Sequence, residues 1–184
     1  MKVKNHDADY ELMQRVARGE QPAFRTLYDG HKARVYGICL RMMGKGRGAD
    51  DMTQEVWLRV IKNANMYRPT GTLAAWLSQL TRNACLNEMR AAKPEDFVED
   101  LESIADKSQS MDADSPFKGL TDNEELEQAF QALPSQQRAV LLMAVYEELS
   151  HSEIAKELNI SVGAVKQLIV RGKENMRAHF AEKA

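Results

Sequence analysis

Apolar side chains recur every three or four residues through most of the chain, which is the spacing of one face of an α-helix. In the first half this pattern predicts helices over residues 9–28, with a break at Gly19, and over residues 32–43, 51–63 and 73–90. In the second half it predicts helices over residues 124–133, 136–146, 150–158 and 161–177. We therefore predict an all-α fold in which two small helical domains each bury the apolar faces of their own helices.

Residues 149–177 carry the most specific local pattern, because a capping sequence, a tight turn and an apolar stripe occur together. Ser150 followed by Glu153 is the sequence of a capping box, and Asn159 stands where a residue in the left-handed conformation would end the first helix. Ser161 can cap the second helix. Four apolar residues are predicted to form the inner face of that helix: Val162, Val165, Leu168 and Ile169. The segment is predicted to be a helix-turn-helix.

The outer face of this second helix is polar and basic. Because a helix-turn-helix places its second helix in the DNA major groove, this face supplies candidate DNA contacts. The candidates are Ser161, Lys166, Gln167, Arg171 and Lys173. The alternative is a basic amphipathic helix whose outer face is merely solvated. The agreement of cap, turn and stripe favours the helix-turn-helix.

Charge is distributed unevenly, although the 184 residues sum to a net charge of only −2. Residues 1–94 carry a formal charge of +7, residues 95–128 carry −10 and residues 129–184 carry +1. Helical periodicity is lost in the acidic stretch, so residues 95–123 are predicted to be a flexible acidic linker between a domain over 1–94 and a domain over 124–184. An acidic segment that occupies a positively charged channel of a partner, or mimics nucleic acid, is the alternative.

A polar face is predicted on the helix over residues 73–90, beside a turn-rich loop over residues 65–72. The side chains concerned are Tyr67 and Arg68 in the loop and Gln79, Arg82, Asn83, Asn87 and Arg90 in the helix. Amide edges and planar groups can hold the bases of a single or melted strand. An ordinary solvated helix face explains the same pattern equally well, so the residues alone leave both interpretations open.

No catalytic, metal-binding or membrane-spanning pattern occurs in the sequence. The two cysteines, Cys39 and Cys85, fall among apolar helical positions and are predicted to be reduced core residues. The four histidines share no metal-ligand spacing with them, and no nucleophile, base and orienting group stand at a readable spacing. We therefore predict a non-enzymatic protein without cofactor, metal or small-molecule substrate. The lack of an apolar run of roughly 20 residues and of a signal peptide predicts a cytoplasmic location.

The chain contains two blocks that resemble a known family. The first comprises ADDMTQEVWLRVIKN and TGTLAAWLSQLTRNACLNEMR, and the second is ALPSQQRAVLLMAVYEELSHSEIAKELNISVGAVKQLIVRGKENMR. Their order and spacing are similar to those of bacterial RNA polymerase sigma factors of the extracytoplasmic-function type. The resemblance implies a region two over about Tyr10–Arg90 and a region four over about Glu124–Phe180. It also implies a protein that binds core polymerase, recognises −10 and −35 promoter elements and promotes strand opening.

The resemblance further assigns roles by position. The helix over residues 51–62 matches the one that binds the clamp helices of the largest polymerase subunit, and its matching polar residues are Asp51, Gln54, Glu55 and Arg59. The base-capture elements match Tyr67, Arg68, Gln79, Arg82, Asn83 and Asn87. Region four is expected to contact the −35 element and the polymerase flap. An anti-sigma factor that covers the polymerase-facing surfaces is expected as a further partner.

Two positions depart from the family pattern. Gln79 and Leu168 each stand where an arginine is usual, the first in the melting helix and the second in the recognition helix. The second departure implies a different −35 preference and a larger role for Arg171 and Lys173 in positioning on phosphates. The rival hypothesis is a free-standing helix-turn-helix regulator, which gives no reason for the first of the two blocks.

Overall fold

The structure is a computed structural model that describes residues 3–45, 47–97 and 124–183. Within these ranges every regular element is helical and no β-strand occurs, which confirms the all-α prediction. The helices are α1 (Val3–Ala17), α2 (Gln21–Met43), α3 (Arg47–Asn63), α4 (Leu73–Ala92), α5 (Glu124–Ala132), α6 (Ser135–Val145), α7 (His151–Leu158) and α8 (Val162–Lys183). Contacts divide the chain into two compact units, with the break between Asn87 and Glu88.

One long helix, α2, replaces the two helices that the sequence predicted on either side of residues 28–32. Gly30 does not interrupt it, because a glycine inside a helix costs only about 1 kcal/mol and the buried Leu27 and Val35 hold both halves against the core. Gly44 ends the helix with a φ of +87°, a conformation that a residue without a Cβ adopts readily. The prediction of a separate helix from residue 32 was therefore wrong.

Some residues predicted for inner faces lie at the surface. Helical spacing places Tyr10, Met13 and Ala17 on one apolar stripe of α1, but only Met13 is buried, and Tyr10 and Ala17 are exposed. The same spacing places Ile61 on the apolar side of α3, yet Ile61 is 43% exposed. Apolar spacing locates a helix face only approximately, because neighbouring positions differ by about 100° around the axis. Packing against the other helices selects which of the apolar residues are covered.

Aromatic and apolar side chains pack α2 against α3 in the N-terminal unit. The rings of Phe24 and Trp57 meet edge-to-face with their centres 5.9 Å apart, and the Tyr28 ring lies 5.0 Å from Trp57. Leu73 and Leu77 on the inner side of α4 are buried in the same unit. This core leaves one face each of α3 and α4 exposed to solvent.

Helices α5 to α8 form the C-terminal unit. Leu126 and Phe130 in α5 and Leu141 in α6 are buried, as the apolar spacing indicates, whereas Ala144 and Val145 at the end of α6 are only half-buried. Helix α8 packs against α6, and Asn175 Nδ2 on α8 donates a hydrogen bond of 2.8 Å to Gln137 Oε1 on α6. The long α8 is thereby held along most of its length, and its first turns remain available at the surface.

Of the predicted linker over residues 95–123, only residues 95–97 fall in the part of the chain that the structure describes. A single 3-10 turn, Pro94–Asp96, follows α4. The Arg90 guanidinium lies 5.3 Å from the centre of the Phe97 ring, a cation–π distance. The domain boundaries at residues 94 and 124 and the flexible linker between them stay predictions.

Candidate nucleic-acid and protein interfaces

The capping box predicted at the start of α7 is present. Ser150 Oγ accepts a hydrogen bond from Glu153 N at 3.3 Å, and Glu153 Oε2 accepts one from Ser150 N at 2.8 Å. These bonds satisfy amides that a helix start leaves without intrahelical partners. Asn159 ends α7 in the left-handed conformation, with φ 56° and ψ 47°. The first helix of the motif therefore begins and ends where the sequence indicated.

The turn between α7 and α8 is closed by hydrogen bonds. Ile160 N donates to Ala155 O at 3.0 Å, and Ala164 N donates to Ser161 Oγ at 3.0 Å, so Ser161 caps α8. Ala155 is only 7% exposed and Val165 is fully buried, as close packing of the two helices requires. The predicted helix-turn-helix is therefore confirmed as a local fold.

Only part of the predicted DNA-contacting set lies on the outward side of α8. Lys166 is exposed, and Gly163 is exposed one turn before it. Gln167 and Lys173 are half-buried. Arg171 is exposed, but its separation of five positions from Lys166 turns it about 140° around the helix axis. Lys166 and Arg171 therefore point in different directions from one helix.

Two residues that were not among the predicted DNA contacts also lie on the exposed side of α8 that carries Lys166. Val162 was predicted for the inner face, but it is 41% exposed, so that assignment was wrong. Arg177 is exposed and stands three helical turns after Lys166 on the same side. Arg177 was not predicted as a DNA contact. Its separation of eleven residues from Lys166, about three helical turns, could have placed it on the same side of the helix.

Tyr67, a predicted contact of the −10 element, is a core residue in this structure. Its side chain is fully buried, and its ring meets Trp76 edge-to-face with the centres 5.6 Å apart. Tyr67 Oη donates to Gly71 O at 3.4 Å across the loop, and burial raises the pKa of the phenol. A ring in this position cannot stack on a base. The structure corrects its role to that of holding the loop in shape.

Arg68 and Thr72 order the same loop. Arg68 Nη1 donates to Asn65 O at 2.9 Å and to Tyr67 O at 3.0 Å, while the side chain remains exposed. Thr72 Oγ1 accepts a hydrogen bond from Ala75 N at 3.2 Å and so caps α4. Because a guanidinium has five N–H donors, Arg68 can brace the loop and still donate to a ligand at the surface.

Gln79, Asn83 and Asn87 form an exposed line along α4, here named the α4 stripe. Steps of four residues put successive members on the same side of the helix. Arg82 was predicted together with them, but it is only 6% exposed, so the structure excludes it from the stripe. Each side-chain amide offers both donors and an acceptor, as hydrogen bonding to the edge of an unpaired base requires.

The exposed side of α3 carries the predicted polar residues Asp51, Gln54 and Glu55. Helix α3 begins at Arg47, four residues before the predicted start. Arg59 Nε pairs with Glu55 Oε1 at 2.8 Å, with side chains 40% and 47% exposed. An exposed pair at this spacing contributes only about 0.3–0.5 kcal/mol to stability, so it mainly orients the two side chains.

An exposed leucine stands in the middle of this polar surface. Leu58 is 63% exposed and lies one turn after Gln54 and two turns after Asp51. Ile61, one turn further, is also exposed. Exposed apolar side chains grouped within a polar surface mark protein-binding sites. Asp51, Gln54, Glu55, Leu58 and Ile61 are here named the α3 face. Sequence reasoning missed Leu58, although it falls out of phase with the buried positions of α3.

The described ranges hold neither a metal-binding cluster of side chains nor a helix that could span a membrane. No group of three or more His, Cys, Asp or Glu side chains there could hold a metal ion. No helix in those ranges is long and apolar enough to cross a lipid bilayer. Cys39 and Cys85 are buried free thiols, which confirms their assignment as core residues.

The helix-turn-helix in one unit defines a protein of the DNA-binding class, and the other unit carries the exposed Leu58 and Ile61 on α3. The family model Sigma-70 region 2 matches residues 27–95, and Sigma-70 region 4 matches residues 123–176. The ECF RNA polymerase sigma factor SigW of Bacillus subtilis is 29% identical over 92% of this chain and 95% of its own length. The RNA polymerase sigma factor CarQ of Myxococcus xanthus is 29% identical over 92% of this chain and 96% of its own. The chain therefore belongs to the extracytoplasmic-function sigma factors of bacterial RNA polymerase.

Solved structures share this fold. CnrH, in its complex with the cytosolic domain of CnrY, has a TM-score of 0.59 and 20% identity, covering 96% of this chain and 99% of that one. RpoE from Bartonella quintana, in complex with the anti-sigma factor NepR, has a TM-score of 0.59 and 18% identity, covering 86% and 96%. At these identities the likeness concerns the fold alone. The region 2 match disfavours the free-standing regulator, which has no need of a second sigma region.

Proposed function

We propose that this sigma factor binds core RNA polymerase through the α3 face and reads a promoter through the α4 stripe and α8. Leu58 carries the polymerase-binding part of the proposal. It is a large apolar side chain held 63% exposed at the centre of a helix surface whose neighbours are polar. An apolar centre surrounded by polar residues is the usual composition of a protein interface. The region 2 match implies the clamp helices of the largest polymerase subunit as its occupant.

The α4 stripe is proposed to hold the melted −10 strand. Asn83 stands between Gln79 and Asn87, and all three amides are free to face a strand that lies along the helix. Arg68 in the preceding loop supplies a positive charge for the backbone of that strand. Extruding a base costs a few kcal/mol, so a set of amides that binds the exposed base edge favours the open state.

Helix α8 is proposed to read the −35 element from the major groove. Its first turn offers the amides of exposed Val162 and Gly163 to a phosphate at the positive end of the helix dipole. Lys166 is proposed to contact base edges. Arg171 lies about 140° away around the helix axis and is proposed to contact the phosphate backbone beside the groove. Lys173 and Arg177 add positive charge further along the groove. The C-terminal unit is also proposed to contact the polymerase flap, as in the family.

The α4 stripe and α8 act together only when the chain is bound to the polymerase. Each makes few contacts of its own, so binding of either alone is weak and strongly dependent on salt. When both units are bound to one core enzyme, the acidic linker over residues 95–123 limits the distance between them. When one unit has bound its promoter element, the other is therefore at high effective concentration at the same promoter. The proposed activity breaks no covalent bond. We propose that it takes place in the cytoplasm, where the polymerase acts.

An anti-sigma factor is proposed as the inhibitor of this chain. RpoE of Bartonella quintana was solved with the anti-sigma factor NepR, and CnrH with the cytosolic domain of CnrY. The α3 face is the surface where an inhibitor would compete with the polymerase, because covering Leu58 and Ile61 removes exposed apolar area from water. Polymerase and inhibitor would therefore exclude each other.

Binding to purified core polymerase tests the proposal. In Leu58→Asp, a charge would have to be desolvated at the centre of the interface, so affinity should fall at least about 10-fold. The double variant Gln54→Ala/Glu55→Ala should weaken binding less, since it removes polar residues around that centre. Fluorescence anisotropy of a labelled chain titrated with core enzyme measures each affinity.

Met66→Asp is the matched control. Met66 is 64% exposed, close to the exposure of Leu58, but it lies in the 3-10 turn Ala64–Met66 and outside the α3 face. It should retain the affinity of the unmodified chain for core enzyme, and unfolding curves should show that both variants fold. Equal affinity of Leu58→Asp and the unmodified chain would overturn the assignment of the α3 face.

A further inference from the structure

Cys39 in α2 and Cys85 in α4 are the two cysteines of the chain, and they meet in the core although 46 positions separate them. Their Sγ atoms are 4.0 Å apart, and the Cys85 thiol donates a hydrogen bond to Cys39 Sγ. Both side chains are fully buried. The fold thus turns two isolated cysteines into one buried dithiol.

The surroundings make the two thiols chemically unequal. Hydrogen bonds from Cys85 and from the Thr53 side chain lower the pKa of Cys39. The hydrogen bond to Cys39 together with burial raises the pKa of Cys85 far above its usual range. Because the thiolate is the nucleophilic form of cysteine, Cys39 is the attacking residue and Cys85 the resolving one.

We propose that Cys39 and Cys85 are a disulfide-forming pair, oxidised within the folded protein by a small hydroperoxide. The two sulfur atoms must approach from 4.0 Å to about 2.05 Å. That approach requires rotation about the Cα–Cβ bonds and a movement of α2 and α4 toward each other. Hydrogen peroxide reaches the pair during local opening of the helices. This inference does not depend on the function proposed above.

The reaction has two steps. The Cys39 thiolate attacks one peroxide oxygen, the O–O bond breaks, and the departing hydroxide takes a proton to leave as water, which gives a sulfenic acid at Cys39. Cys85 sulfur then attacks the sulfenic sulfur, the S–S bond forms, the S–O bond breaks, and a second water leaves with the Cys85 proton. Two thiols are oxidised and one peroxide is reduced to two waters. A dithiol such as dithiothreitol reverses the bond by exchange.

The disulfide would join α2 to α4 and enclose the whole of α3. Such a crosslink restricts the unfolded chain, so the oxidised protein should be harder to unfold than the reduced one if the bond fits the native packing. Asn83 and Asn87 each lie two positions from Cys85, which places them on the opposite side of α4 from the sulfur. The crosslink therefore leaves the α4 stripe uncovered.

The full-length, reduced chain treated with hydrogen peroxide under native conditions tests the proposal. The protein is then denatured, remaining thiols are alkylated, and the intact mass is measured. The expected product is a monomer that has lost two hydrogens and carries no alkyl group. Dithiothreitol should restore two alkylatable thiols. The unfolding temperature of the oxidised protein should rise by about 5 °C or more.

The variants Cys39→Ala and Cys85→Ser provide the controls, since neither can crosslink within one chain. Cys39→Ala should leave Cys85 alkylatable after peroxide, whereas Cys85→Ser, which keeps a hydroxyl donor beside Cys39, should accumulate oxygen on Cys39. Two alkylatable thiols in peroxide-treated unmodified chain, or crosslinks between two chains, would overturn the pairing. A lower unfolding temperature in the oxidised protein would overturn the claim that the bond fits the folded core.

Discussion

Gly172 on α8 lies directly against Leu141 on α6. A Cβ built on Gly172 would stand 2.7 Å from Leu141 Cδ1, closer than Cβ atoms approach in folded proteins, and a tight 3.1 Å from Leu141 Cγ. Gly172 is therefore a packing requirement of the C-terminal unit, because only a residue without a Cβ lets α8 lie this close to α6. The contact helps to hold the helix that carries the predicted DNA-reading residues.

Gly172→Ala should destabilise the C-terminal unit. Overpacking costs about 1–3 kcal/mol, and the helix propensity gained from alanine offsets less than about 1 kcal/mol of it. Urea unfolding followed by circular dichroism measures the difference. Gly163→Ala is the matched control on the same helix, because the nearest atom to its added Cβ is Ser161 Oγ at an ordinary 3.8 Å. A Gly172→Ala protein as stable as the Gly163→Ala protein would contradict this packing account.

Ser150→Ala should lower the stability of the C-terminal unit by about 1 kcal/mol, the usual cost of losing a helix cap. The hydroxyl accepts a hydrogen bond from Glu153 N at 3.3 Å, and alanine has no acceptor to offer that amide. Thermal or urea unfolding measures the loss. Lys156→Ala, an exposed change on the same helix, should stay within about 0.5 kcal/mol of the unmodified protein. Equal losses in the two variants would show that the cap contributes nothing specific.

Asn83→Ala should impair promoter opening more than polymerase binding. Loss of hydrogen bonds to an unpaired base is expected to cost about 1–3 kcal/mol, or roughly 5- to 150-fold in the equilibrium for promoter opening. Permanganate reactivity of unpaired thymines in a promoter opened by the holoenzyme measures it. Glu88→Gln, turned about 140° from Asn83 on the same helix, should open the promoter normally. Normal opening by Asn83→Ala would exclude a role for the centre of the α4 stripe.

Lys166→Ala and Arg171→Ala should weaken binding to −35 DNA in different ways, because the two side chains point in different directions from α8. Arg171→Ala should weaken all sequences alike and reduce the salt slope by about 0.9, as loss of one phosphate contact does. Lys166→Ala should instead change which −35 sequences are preferred. Holoenzyme titrations against a set of −35 variants at several salt concentrations separate the two effects. Identical sequence preferences in both variants would contradict the assignment of Lys166 to base edges.

The helix-turn-helix was predictable almost residue by residue, because its determinants act within a few positions of one another. A Ser-x-x-Glu box, an asparagine that tolerates the left-handed conformation and a serine cap are local features, and each was found as predicted. The core residues Val165 and Leu168 followed from periodicity. The exceptions were Val162, which is 41% exposed in the first turn of the second helix, and Ile169, which is only half-buried.

The surfaces of the N-terminal unit were less predictable, because exposure depends on helices distant in sequence. Tyr67 and Arg82 have the chemistry of nucleic-acid contacts, yet packing buries both. Leu58 has the chemistry of a core residue, yet nothing in the unit covers it. The type of a residue does not show whether it is buried or exposed here, because burial depends on which other helices pack over that residue in the folded chain.

By itself the sequence determined the all-α fold class, the capped helix-turn-helix and the family, because hydrophobic spacing, capping chemistry and motif order are all properties of short segments. Only the tertiary structure decided which side chains remain at the surface, and only it brought Cys39 within 4.0 Å of Cys85 and Gly172 against Leu141. Those relationships join residues that are far apart along the chain. They arise from the way whole helices pack, which no short segment encodes alone.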